Sequence, residues 1–417
     1  MLIFRPQVAA LASLLTTIAT ACAGGVHHMQ NSGDSERASA TAADPNPASS
    51  ATATNAPPVV LAPRFVRFDD PHLRVVGRAI AAQGLVIGYP AVSLMFTVRS
   101  KHVAIRACSS SGNNRIGVVL DGSWVKSVRL PTGNCAEPAA LPLLDGLDAG
   151  PHIVQLVHQN ETWQGLVSIL GIELDADAEL GEPPPASPTG KRLMFIGDSV
   201  TCGEALERGP VCQKNFEWWD PYNSYGMRVG RLLGAEVNLV CYGGRGLVRD
   251  WQGKRDGFNA LQLVEHTIAS SAADVAAFGV QPEALTWDPK RYVPDVTVIS
   301  LGTNDFNLAL GPLPEKEDYV SAYVKLVTTL LDAAPDSRVI LTEGSMVNDK
   351  ADPKRPQKTV LRKYIAEAIR RLKTDRVTFA PATHYPGDAC DAHPTTPEHA
   401  HMADDLLPYV RRALGWE

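Results

Sequence analysis

The chain has no run of Lys or Arg, no visible internal repeat, and, beyond its first residues, no stretch of the ~18–20 apolar residues that a membrane-spanning helix needs. With 39 basic and 45 acidic side chains the formal net charge is −6, which lacks the basic footprint of a nucleic-acid binder. Cysteine is sparse, at 7 of 417 residues, so this is no disulfide-dense miniprotein. The composition, 45% hydrophobic and 20% charged, is ordinary globular composition and excludes wholesale disorder. At ~150 residues per domain the length implies two or three folding units with ample chain for a core.

The N-terminus indicates export. Arg5 precedes an apolar run from Val8 to Ile18, and Ala19-Thr20-Ala21 then lead to Cys22. Small residues at such a boundary read as a signal peptide over residues 1–22, removed on export. The pattern resembles a bacterial lipoprotein signal with the lipid on Cys22, although Ala19 stands where Leu is usual; a plain signal peptide cleaved nearby is the alternative. Residues 23–62 are rich in Ala, Ser, Thr, Asn and Pro and read as a disordered tether, since they cannot bury enough apolar surface to offset ordering entropy. The expected location is therefore outside the cell or at its surface, with membrane contact only through such a lipid. Six cysteines remain, and an oxidising compartment permits disulfides, but sequence cannot choose among their pairings. Cys108–Cys135 and Cys202–Cys212 are the local pairings, and buried free thiols are the alternative.

Residues 63–175 carry short β-like runs, among them Val92–Val98, Val103–Ala107, Ile116–Leu120 and His152–His158. Turn residues separate them, and Asp121-Gly122 is a strong hairpin signal. Strands at this spacing predict an antiparallel sandwich. Residues 176–190, with Glu182-Pro-Pro-Pro-Ala-Ser-Pro, read as a stiff linker. Over 191–417 the rhythm changes to uninterrupted apolar runs (Leu193–Ile196, Val237–Val240, Val296–Leu301, Val339–Thr342) alternating with amphipathic segments. That alternation predicts a parallel sheet covered on both faces.

Ligands of open parallel sheets bind beyond the carboxyl ends of the strands. Here the strands run into Gly197-Asp198-Ser199, then Tyr242-Gly243-Gly244-Arg245, then Gly302-Thr303-Asn304-Asp305; a late Asp391-Ala-His393-Pro394 precedes the terminal helix. A serine hydroxyl is a weak nucleophile until an imidazole takes its proton. The backbone N–H groups of Ser199 and Gly244 and the Asn304 amide would supply the donors that a tetrahedral oxyanion requires, each worth ~2.7–4 kcal/mol. The set suits acyl transfer and calls for no metal or organic cofactor.

These four blocks resemble those of the SGNH (GDSL) hydrolase superfamily. The preceding β-domain, with Thr201-Cys-Gly203, Gly244-Arg-Gly-Leu-Val248 and Cys390-Asp-Ala-His-Pro394, more narrowly resembles carbohydrate esterase family two, whose members include acetyl xylan esterases. The resemblance implies an N-terminal all-β jelly-roll sandwich followed by an α/β SGNH hydrolase domain with a flavodoxin-like doubly wound parallel sheet. It implies a serine esterase that deacetylates carbohydrate through an acyl-enzyme, with Ser199 as nucleophile, His393 as base and then acid, and Ser199, Gly244 and Asn304 as the oxyanion hole. The superfamily usually carries Asp-x-x-His, but Cys390 occupies that position here and Asp391 lies two before His393. Either the Asp391 carboxylate or a backbone carbonyl would orient the imidazole. A lipase or thioesterase of the same superfamily, and a non-catalytic glycan-binding surface lipoprotein, are the competing readings.

Other residues carry plainer expectations. Asp198 and Asp305 are expected to hold turns; the required separation for a two-carboxylate glycosidase is not readable from sequence. Gly243-Gly-Arg-Gly246 lacks the Gly-Lys-Ser/Thr ending of a P-loop. Thr395 and Glu398 form a capping box that starts the last helix and leaves His393 on a loop. His399 and His401 would point about 200° apart on that helix, cannot chelate together, and are expected to be solvated. Trp218, Trp219 and Tyr222, and likewise Trp251 and Trp287, either stack on sugar or cover the sheet edge. Arg245 either meets substrate oxygens or pairs with an acid.

Overall fold

The computed structural model describes residues 62–133 and 135–416; the expected signal, Cys22 and nearly all of the tether lie outside the described residues. The first part is built from two six-stranded sheets. One is centred on Val103–Ser109 and Val167–Leu174, the other on Ser93–Arg99, His152–His158 and Arg115–Leu120, with antiparallel neighbours throughout. Alternation decides which side chains enter the core: Leu94, Phe96 and Val98 are buried, whereas Met95 and Thr97 are half-buried. Asp121 and Gly122, at φ of 50° and 80°, make the two-residue turn that joins Arg115–Leu120 to Ser123–Arg129. The stretch read as a linker contributes an edge strand, Glu179–Gly181, which pairs with Thr97–Arg99 before the prolines end it.

The second part is a five-stranded parallel sheet. Arg192–Gly197 lies between Glu236–Cys241 and Val296–Leu301, followed outward by Arg338–Glu343 and Val377–Phe379. In order of appearance the strands therefore run 2-1-3-4-5, the doubly wound order whose switch point lies beside the first strand. The uninterrupted apolar runs follow from burial on both faces. Leu193 and Phe195 pack with Tyr225, Val229, Leu406 and Val410 of the helices Tyr225–Leu233 and Thr396–Ala413. Met194 and Ile196 face the other way, into a core with Leu263, Tyr319, Leu326 and Leu361. Among the described residues, no helix is long and apolar enough to cross a membrane.

The two parts join through polar contacts as well as apolar ones. Tyr89 donates to the Leu263 carbonyl at 2.9 Å, Asn160 to that of Phe216 at 2.8 Å and Arg115 to that of Glu217 at 2.9 Å. Arg78, fully buried, donates to the carbonyls of Val264 and His266, which the helix Ala260–Glu265 leaves without partners. These contacts, from four separate segments of the N-terminal part, meet the helix Ala260–Glu265 with His266 after it and the segment at Phe216 and Glu217.

Candidate active site

Strand Arg192–Gly197 ends in a single helical turn, Ser199–Cys202, whose N-cap is Asp198. The Asp198 carboxylate accepts the Val200 N–H at 3.1 Å, satisfying a donor at the helix start. Burial pushes this carboxyl up to about 6, against that hydrogen bond. The turn thus presents Ser199, itself only 5% exposed, at the floor of a cleft of about 920 Å³. Behind it, Cys202 is bonded to Cys241 at the end of the neighbouring strand, not to Cys212 as the local spacing suggested. The parallel register explains this: Gly197 sits opposite Cys241, which brings that residue close to the turn following Gly197.

His393 arrives from the other end of the chain on a loop fastened three ways. Asp388 accepts the N–H groups of Cys390 and Asp391 at 2.8 and 3.1 Å. Cys390 is bonded to Cys212, and Arg208 reaches both the Asp388 carboxylate and the His393 carbonyl. The capping box of Thr395 and Glu398 then begins the last helix. The result places His393 Nε2 at 2.9 Å from Ser199 Oγ. The imidazole's partner on the far side is a carboxylate: one Asp391 oxygen meets His393 Nδ1 at 2.6 Å and the His393 backbone N–H at 2.8 Å. A spacing of two suffices since the carboxylate folds over its own loop. Burial alone would raise the Asp391 carboxyl, but the hydrogen bonds from His393, together with Lys214, hold it well below the usual range. An ionised Asp391 on Nδ1 fixes the proton there and leaves Nε2 free to accept from the serine.

The second turn brings Gly244. Its φ of +75° and the approach of Trp251, whose Cδ1 would lie 2.5 Å from an added Cβ, both exclude a side chain. Asp305 holds this loop by accepting the N–H groups of Leu247, Val248 and Arg249 at 2.8–3.1 Å. Asn304 lines the same cleft, and its amide donates to the Arg245 carbonyl at 2.8 Å, with Asp198 at 3.5 Å. The N–H groups of Ser199 and Gly244 find no acceptor among the described residues, so both are available to an incoming oxygen.

Several functional neighbours carry no signal in the sequence. Lys214 bridges Glu204 and Asp391, at 3.1 Å from the latter, and lies 3.5 Å from His393 Nδ1. Burial opposes its charge, but Glu204 and Asp391 outweigh that and hold its pKa above the ordinary value. Glu204 stands 3.7 Å from His393 Nε2. Glu161, from the N-terminal sheets, is fully buried and accepts the Trp219 indole N–H at 2.7 Å; burial, then the Glu204 carboxylate, push it up to about 7.

The aromatics divide. Trp218, Trp219 and Tyr222 are buried and cover structure, whereas Trp251 and Trp163 stay half exposed on the cleft. Trp287 lies elsewhere, against Arg78 at 4.2 Å. Arg245 lines the cleft and pairs with Asp250 at 3.4 Å. His401 is exposed, but His399 is not solvated as expected. It is fully buried, its Nδ1 accepts the Tyr225 N–H at 3.0 Å, and burial pushes it down to about 3. The capping box sets the helix so that this position faces the helix Tyr225–Leu233 and not solvent.

A serine, an imidazole and a carboxylate hydrogen-bonded in series, at the carboxyl rim of a doubly wound sheet and beside free N–H donors, form the constellation of a serine hydrolase. Residues 195–409 match the GDSL-like lipase/acylhydrolase family and residues 75–184 match the carbohydrate esterase 2 N-terminal domain. The chain is 36% identical over 349 residues to an acetylxylan esterase/glucomannan deacetylase of Cellvibrio japonicus, covering 83% of this chain and 90% of that one. It is similar to the structure of a family two carbohydrate esterase from Cellvibrio japonicus, with a TM-score of 0.75, 36% identity and coverage of 85% and 99% of the two chains. A carbohydrate esterase family 2 enzyme with a carbohydrate binding domain from Corynascus thermopiles is also similar, with a TM-score of 0.71, 26% identity and coverage of 82% and 100%. The chain belongs to the GDSL-like acylhydrolases and, among them, to the carbohydrate esterases of family two.

Proposed function

We propose that this chain is an exported serine esterase that removes acetyl groups from polysaccharide or oligosaccharide through an acyl-enzyme. The observation that carries the reading is the contact of Ser199 Oγ with His393 Nε2 at 2.9 Å, with Asp391 on the far nitrogen. His393 takes the serine proton as Oγ bonds to the ester carbonyl carbon. The carbonyl oxygen, now negative, is received by the N–H groups of Ser199 and Gly244, with Asn304 beside them. Collapse of the intermediate breaks the bond to the sugar oxygen, which leaves with the proton from His393. Water, deprotonated by the same imidazole, then releases acetate and restores Ser199. Asp391 holds the ring in one tautomer and offsets the charge of the transient imidazolium.

The carbohydrate part of the reading draws on the activities named for the relatives and on the cleft. Its lining combines Arg245, Asp250, Gln252, Lys254 and Asp256, which can hydrogen-bond hydroxyl groups, with the exposed rings of Trp163 and Trp251, on which a sugar can stack. In the same proposal the N-terminal part is a jelly roll over 63–175, residues 176–190 link it to the hydrolase domain of 191–417, and a signal over 1–22 and a tether over 23–62 carry the enzyme outside, with Cys22 as the lipid site.

The test is acetate release from acetylated xylan and glucomannan by the protein and by Ser199→Ala. Release by the first and none by the second is expected. Preference for long-chain nitrophenyl esters over short ones would favour the lipase reading. Glycan binding with no ester hydrolysis at all would favour the binding-protein reading.

A further inference from the structure

An acid from the N-terminal sheets reaches the glycine turn that walls the cleft. Glu161 sits in the loop between strands His152–His158 and Val167–Leu174, has no exposed surface, and is pinned by Gln164, which accepts the Glu161 N–H at 2.9 Å. Its two oxygens do separate things. One accepts the Trp219 indole N–H at 2.7 Å, and the other accepts the backbone N–H of Gly243. An added Cβ at Gly243 would lie 2.9 and 3.0 Å from these oxygens, so the approach requires a glycine. The next N–H along the chain is that of Gly244, whose carbonyl is held from the other side by the Trp251 N–H at 2.9 Å. The turn that offers an oxyanion donor is therefore clamped on one side by its own domain and on the other by a carboxylate from the domain before it.

We propose that Glu161 is a positioning residue of the esterase, which by fixing Gly243 aims the Gly244 N–H at the ester oxygen and makes the N-terminal domain part of the catalytic apparatus. The inference rests on the reading of Ser199 as nucleophile and Gly244 as donor. Glu161 never meets substrate. Its effect is confined to the step in which charge develops on the oxygen, so it acts on turnover and not on ground-state binding. Misplacing such a donor by about 1 Å costs on the order of 100-fold, and losing one outright costs about 100- to 1000-fold.

The experiment uses the full chain with Glu161→Ala and Glu161→Gln, a nitrophenyl acetate and acetylated xylan as substrates, and an arylboronic acid that forms a tetrahedral adduct on the nucleophile. In Glu161→Ala, kcat should fall about 10- to 100-fold with KM within about threefold, and boronate inhibition should weaken by the same factor as kcat. Glu161→Gln keeps the shape and one acceptor but turns its NH2 toward the other donor, so it should fall between the wild type and Glu161→Ala; it also carries the test if the alanine variant does not fold. A folded Glu161→Gln with kcat within twofold of wild type overturns the assignment, as does a fall in kcat without weaker boronate binding. Ser199→Ala separates the two readings: an active Ser199→Ala removes the nucleophile and this inference together, whereas an inert Ser199→Ala beside a fully active Glu161→Gln removes only Glu161.

Discussion

Replacing Asp391 by Asn asks how much of the reaction depends on the charge behind the imidazole. The Asp391 carboxylate meets His393 Nδ1 at 2.6 Å and is only 14% exposed, so its interaction with the transient imidazolium is poorly screened. A unit charge about 4 Å from the centre of the imidazolium charge is worth ~4 kcal/mol at an effective dielectric of ~20. Asn retains an acceptor for Nδ1–H, which recovers part of that, so a loss of ~2–4 kcal/mol is a reasonable bracket, or about 30- to 1000-fold in rate. Lys214 adds to the penalty. Its ammonium is 3.5 Å from Nδ1, and once Asp391 is neutral, Glu204 is the one carboxylate paired with it among the described residues. Initial-rate kinetics on acetylated xylan oligosaccharides should show the fall in kcat with KM nearly unchanged, because Asp391 does not line the cleft. Adding Lys214→Met to Asp391→Asn should return part of the lost rate. A folded Asp391→Asn enzyme within fivefold of wild type would show that the serine–histidine pair works alone and that the reasoning from charge is wrong.

The same geometry makes three further outcomes testable. Gly244→Ala should lower kcat at least tenfold, since the residue is at φ +75° and the new Cβ meets Trp251 2.5 Å away; Gly244→Ala with Trp251→Ala should recover little, and full recovery would show that crowding alone mattered. Removing the Cys212–Cys390 bond with Cys212→Ser and Cys390→Ser frees the loop of His393 and should cut turnover severalfold, while Cys108→Ser with Cys135→Ser should leave turnover intact; equal losses in both pairs would refute the local role. His399 is held neutral with a folded pKa of about 3, below its unfolded value, so its contribution is complete above about 6.5 and fades as pH falls toward 3. Denaturant midpoints measured across that window should therefore decline less steeply in His399→Gln than in wild type, and parallel declines would contradict the assignment.

The serine and histidine that meet in the cleft are legible in the sequence because each sits in a short local pattern, one at a strand end and the other before a capped helix. The parallel sheet is legible for a similar reason: strands buried on both faces must be apolar throughout, as Leu193–Ile196 is. The hairpin at Asp121-Gly122 is legible because two successive positive φ angles need those residue types. The hidden features depend on the register of distant segments. Cys202 pairs with Cys241 because two strands lie side by side, and Cys212 with Cys390 across 178 residues, neither of which spacing reveals. His399 defies the expectation of a solvated side chain because which side of the last helix meets the helix Tyr225–Leu233 is a packing outcome. Glu161 and Lys214 meet Gly243 and Asp391, 82 and 177 positions away, and such contacts cannot be read from neighbouring residues.

In the proposed mechanism Ser199 carries the acyl group between substrate and water. Rapid acid quenching during turnover of a nitrophenyl acetate, followed by mass spectrometry of peptides, tests it most directly. An acetyl group is expected on the peptide at Ser199, accumulating during the burst and lost on further hydrolysis, with none in Ser199→Ala. Acetylation at another residue that turns over at the steady-state rate, or undiminished acetate release by Ser199→Ala, would contradict it.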